Sequence, residues 1–60
     1  MANFTFKDLD DGDETWVGVR STDQGVGLTL SKKANGDIEV FMSAEVAVQL
    51  AAALREIAEN

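Results

Sequence analysis

Val26-Gly27-Leu28-Thr29-Leu30-Ser31 and Asp37-Ile38-Glu39-Val40-Phe41-Met42 flank the segment Lys32-Lys33-Ala34-Asn35-Gly36. Both flanks alternate apolar and polar residues, the period of a strand with one buried face. Asn35-Gly36 marks a hairpin turn, and two hairpins can use it. A two-residue type I′ loop sets Leu30 opposite Phe41 and Ser31 opposite Val40. It divides the aliphatic side chains between the two faces. A three-residue loop, Ala34-Asn35-Gly36, with Gly36 left-handed in a bulge, sets Leu30 opposite Val40 and Leu28 opposite Met42. Leu28, Leu30, Ile38, Val40 and Met42 then share one face. A one-residue slip reverses every side chain, so burial selects the three-residue loop.

Working outward, Thr15–Arg20 (Thr-Trp-Val-Gly-Val-Arg) and Asn3–Lys7 (Asn-Phe-Thr-Phe-Lys) read as two earlier strands. The acidic turn Asp8–Glu14 and the polar loop Ser21–Gln24 separate the first three strands. In a simple meander, Val19 opposite Val26 and Val17 opposite Leu28 extend the apolar face. Phe6 opposite Val17 and Phe4 opposite Val19 complete it.

Ser43 is placed to cap a helix that follows the last strand. Glu45 sits in the first turn, where the helix dipole favours an acid. Residues 44–59 are almost all good helix formers. Val46, Leu50, Leu54 and Ile57 form one stripe, which is expected to cover the sheet. The expected fold is α+β: one domain over residues 1–60, a four-stranded antiparallel β-meander with one C-terminal α-helix packed on one face.

That arrangement sends Trp16 and Phe41 to the outer face. One outer rung is expected to read Lys7, Trp16, Thr29, Phe41, and the next Thr5, Gly18, Gly27, Ser43. Gly18 and Gly27 would then lie opposite each other. Paired glycines bare the backbone and weaken a strand, so they need a reason. One reason is local, with Trp16 folded over a neighbouring glycine. The other is a partner chain seated on the strip, with Trp16 and Phe41 as anchors and Lys7, Gly18, Gly27 and Thr29 around them. A small-residue helix edge (Ala44, Ala47, Ala51, Ala58) and the apolar Val48 and Ala52 offer a second contact surface. Two apolar surpluses in a small chain favour a homodimer.

Composition narrows the chemistry. The 60 residues hold no Cys and no His, so disulfides, thiolate metal sites and the commonest general base are absent. Ser21, Thr22, Ser31 and Ser43 therefore have no His to activate them. Eleven acidic and five basic residues give a net charge of −6, which disfavours direct nucleic-acid binding. No apolar run approaches the ~20 residues of a membrane span. Met1-Ala2-Asn3-Phe4 lacks a basic stretch followed by an apolar one, so a cytoplasmic placement is expected.

The chain thus reads as a non-enzymatic protein-interaction module without a cofactor, pairing with itself or with another protein. A different reading is an acidic inhibitor that imitates nucleic acid and occupies a basic partner. A third is calcium binding by the Asp8–Glu14 loop, through Asp8, Asp10, Asp11 and Asp13. The spacing departs from an EF-hand, because Gly12 and Val19 fall where that loop needs acids.

Overall fold

A computed structural model describes residues 1–60 as four strands and a helix. The strands are β1 (Ala2–Lys7), β2 (Glu14–Thr22), β3 (Gly25–Lys32) and β4 (Gly36–Met42), and the helix is α1 (Ala44–Ala58). The sheet is an antiparallel meander in the order β1-β2-β3-β4. The helix packs on β3 and β4. This is the ββββα architecture expected from alternation and capping.

The faces are as expected, but the registers are not. Leu28 pairs with Val40 and Leu30 with Ile38, so β4 is displaced by two residues from the predicted pairing. The chain reverses over Lys33-Ala34-Asn35, and the Asn35 N–H donates to the Lys32 carbonyl at 3.1 Å. Gly36 is left-handed, with φ +83°, as its place in the turn requires. The β2–β3 connection is a tight turn at Asp23-Gln24 rather than a Ser21–Gln24 loop, and Val19 pairs with Leu28 and Val17 with Leu30. Across β1 and β2, Phe4 pairs with Val17 and Phe6 with Thr15. Each slip is two residues, an even number, so it moves partners along the strand without turning any side chain over.

The helix begins where the sequence places it. The Ser43 hydroxyl accepts from the Val46 N–H at 3.2 Å. At the other end, the Glu59 N–H donates back to the Arg55 carbonyl at 2.9 Å. Gly25 ties this junction to the sheet. Its φ is +151°, and a Cβ there would collide with the Met42 carbonyl oxygen and lie 3.0 Å from the Ser43 Cα. Only glycine lets the β2–β3 turn approach the β4–α1 connection this closely.

The expected closure of the core by the helical stripe is not met. No apolar side chain is fully buried, and the buried positions are Thr15, Gly18 and Gly27. Along the stripe, Val46 and Leu50 are 47% and 39% exposed, against 64% at Leu54 and 73% at Ile57. The helix therefore touches the sheet near its N-terminal half and leaves its C-terminal half uncovered. The Cα radius of gyration, 12.6 Å, exceeds the roughly 10 Å of a compact chain of this length. No helix is long and apolar enough to cross a membrane.

Candidate interaction interface

The outer sheet face carries the six residues first singled out. Register separates them. Trp16 lies in the rung Thr5, Trp16, Ser31, Asp37, while Phe41 lies opposite Gly27 and Arg20. The two aromatics are two strands and four residues apart, about 16 Å at ordinary strand spacings. They do not flank Thr29, which pairs with Gly18 and Glu39. Gly18 and Gly27 are not opposite each other, and Lys7 lies at the far end of β1, opposite Glu14.

Each aromatic instead covers a glycine. A Cβ on Gly18 would overlap the Cη2 end of the Trp16 indole, so that end of the ring occupies the space over Gly18. A Cβ on Gly27 would be 3.2 Å from Cε1 of Phe41, its cross-strand partner. The Arg20 guanidinium carbon sits 5.4 Å from the Phe41 ring centroid, within cation–π range. Trp16 is 38% exposed and Phe41 61%. Arg20 also pairs with Glu39 at 3.4 Å, and the Thr29 hydroxyl donates to Glu39 at 3.1 Å. The outer face is a ladder of side chains that satisfy one another. Replacing Gly18 by alanine is expected to push the indole off the sheet. Because Trp16 is the sole tryptophan, its emission should shift to the red; unchanged emission would mean that the ring does not rest on Gly18.

The acidic loop is also internally engaged. Lys32 Nζ lies 2.6 Å from Asp11 and 3.0 Å from Asp8. Asp8 accepts from the Asp10 N–H and Asp11 from the Asp13 N–H, while Asp13 accepts from the Ala34 N–H at 3.1 Å. These bonds latch the β1–β2 loop to the end of β3. The Asp8, Asp11 and Asp13 carboxylates meet Lys32 or backbone N–H groups, and no three acidic side chains converge as a metal site requires.

The Asp10 N–H and then the Lys32 ammonium hold the Asp8 carboxyl below its ordinary range, and Lys32 followed by the Asp13 N–H does the same for Asp11. Lys32 is raised in return, chiefly by Asp11. Depressed carboxyls stabilise the fold above their unfolded value, about 3.9, and that contribution is lost as pH falls through the folded value. The Asp10 and Asp13 amide resonances are expected to titrate with midpoints below 3.9, an ordinary aspartate value. Lys32→Met should raise both midpoints. Midpoints indifferent to that change would remove Lys32 from the latch.

The inner face is different. Between sheet and helix runs an open cleft of about 520 Å³ with a wholly apolar lining. Phe4, Val17 and Val19 form one wall, Leu28 lies in the floor, and Ala47, Leu50 and Leu54 form the other wall. Phe4 is 59% exposed, with its ring centroid 6.3 Å from that of Phe6. Lys32, held by the latch, is the single charged residue whose position falls on this face.

The exposed area is large for a chain of this mass. The chain exposes 4930 Å². A folded chain of 6.4 kDa is expected to expose about 3,800 Å², and the unfolded chain about 9,300 Å². Folding thus hides a little under half of the surface, where roughly 60% is usual at this size.

Nothing in the strand pattern announced this gap. It follows from where α1 sits, on β3 and β4, which leaves the inner side chains of β1 and β2 beside an open cleft. No protein-family model, curated protein or solved structure matches the chain.

Proposed function

We propose that the protein is a non-enzymatic interaction module whose binding surface is the inner apolar cleft. The observation that carries this reading is the surplus of about 1,100 Å² over the surface expected for a folded chain of this mass. That surplus is about one partner's share of a specific interface, which is ~800 Å² or more per side. Phe4 and Leu54 in the cleft lining, and Ile38 and Ile57 beside it, contribute to that surplus, all more than half exposed. Large contiguous apolar patches mark interaction sites. The outer face supports binding less well, because Trp16 already rests on Gly18 and Phe41, though 61% exposed, stands among Arg20, Glu39 and other polar side chains.

The test is the state of the chain when it is alone. At nanomolar concentration the single copy is expected to bind the apolar dye ANS and to melt broadly. Occupation of the cleft should expel the dye and sharpen the transition. A single copy that excludes ANS and melts cooperatively would overturn the reading.

A further inference from the structure

We infer that the occupant of the cleft is the helix of a second copy of this chain, exchanged reciprocally, an assignment that rests on the cleft being the binding surface. The sheet lacks a second helix, and the helix lacks a second sheet. α1 packs on β3 and β4, leaving Phe4, Val17 and Val19 on the other two strands without a roof. Two helices pack at interaxial distances of 8–10 Å, about two strand spacings, so a second helix beside α1 would lie over β1 and β2. The C-terminal half of α1, meanwhile, carries Leu54 and Ile57 into solvent. Each missing surface is what the other end of the same chain offers. A twofold axis satisfies both at once, because an isologous contact repeats every pairing.

Area and charge favour a second copy over other occupants. Two surpluses of about 1,100 Å² sum to about 2,200 Å², in the range of obligate dimers. A small apolar ligand could fill the 520 Å³ cleft but would leave Ile57 and Ile38, which lie outside its lining, uncovered. The chain is at −6, yet its carboxylates lie in the loops, on the outer face and on the polar side of the helix. Two copies can therefore close the cleft without burying a carboxylate.

The experiment uses the whole chain. Sedimentation velocity from 1 to 100 µM is expected to show a species of twice 6.4 kDa. In a mixture of labelled and unlabelled copies, isotope-filtered NOE spectra should connect Ile57 methyls of one copy with the Phe4 ring of the other. Ile57→Glu changes a residue that is 73% exposed in the single copy, so it should not unfold that copy. It is expected to weaken dimerisation at least a hundredfold. The double variant Trp16→Ala with Phe41→Ala should leave the dissociation constant within about threefold.

A dimer that survives Ile57→Glu and lacks the intermolecular NOEs overturns the exchange. So does a dimer dissolved by the outer-face pair, which would return the interface to Trp16 and Phe41. A chain that stays single at 100 µM, binds ANS, and is stabilised by a fatty acid or by a different protein overturns the second copy but retains the cleft. A single chain that excludes ANS overturns both.

Discussion

Leu28→Asp is expected to abolish the folded state, while Thr29→Ala, one residue along the same strand, is nearly silent. Leu28 stands at the centre of the inner face, between Val19 on β2 and Val40 on β4. It forms part of the floor of the cleft. Losing the leucine costs about 2–3 kcal/mol, and placing a carboxylate among aliphatic side chains adds several more. A chain of 60 residues is stable by only about 3–9 kcal/mol, so the sum is enough to unfold it. Thr29 points outward and donates to Glu39, a half-exposed hydrogen bond worth about 1 kcal/mol or less. Far-ultraviolet circular dichroism of the two variants, at one protein concentration, gives the comparison. A folded Leu28→Asp protein, or a larger loss for Thr29→Ala, would mean that the faces are assigned the wrong way round.

The second large effect is expected at Gly25. Gly25→Ala places a methyl group against the Met42 carbonyl oxygen, with Ser43 Cα at 3.0 Å and Ala44 N at 3.1 Å. These are backbone atoms at the entry to α1, so relief requires the helix to shift or the turn to open. Adding the strain of a positive φ, we expect a loss of about 3 kcal/mol, or more than about 10 °C in melting temperature. Gly36→Ala is the control. It too has a positive φ, +83°, but nothing lies within 4 Å of the added atom. Its cost should be the conformational part alone, about 1 kcal/mol. Thermal melts at matched concentration separate the two; equal losses would show that Gly25 does not brace the helix.

How much was legible in the sequence follows from what each rule can see. Alternation sees faces, and each strand face was read correctly, as were the Ser43 cap and the left-handed Gly36. Alternation cannot see a two-residue slip, because burial is the same before and after it. Only loop geometry distinguishes those registers. The Asp23-Gln24 turn, with Gly25 just beyond it, was read as a longer loop, and that alone displaced Val19 from Leu28 to Val26. The shared rung of Trp16 and Phe41 inherited these slips and dissolved with them. The covering of Gly18 by Trp16 was among the readings considered, whereas the pairing of Phe41 with Gly27 depended on the correct register. The latch formed by Lys32 with Asp8 and Asp11 joins residues more than twenty positions apart, and no local pattern encodes it. The open cleft depends on α1 settling over β3 and β4, a placement that alternation within single elements does not encode.

The order β1-β2-β3-β4 also has a kinetic consequence. Every strand pairs with its neighbour in sequence, and α1 follows β4 after a single residue. No step requires the closure of a long loop, so the sheet can zip hairpin by hairpin, each on the order of microseconds. Two chains meet far more slowly at micromolar concentration, since docking of specific patches proceeds at about 10⁵–10⁷ M⁻¹s⁻¹. Assembly of the proposed dimer is therefore expected to be second order, with a half-time that halves when protein concentration doubles. The half-roofed sheet would be the species that waits.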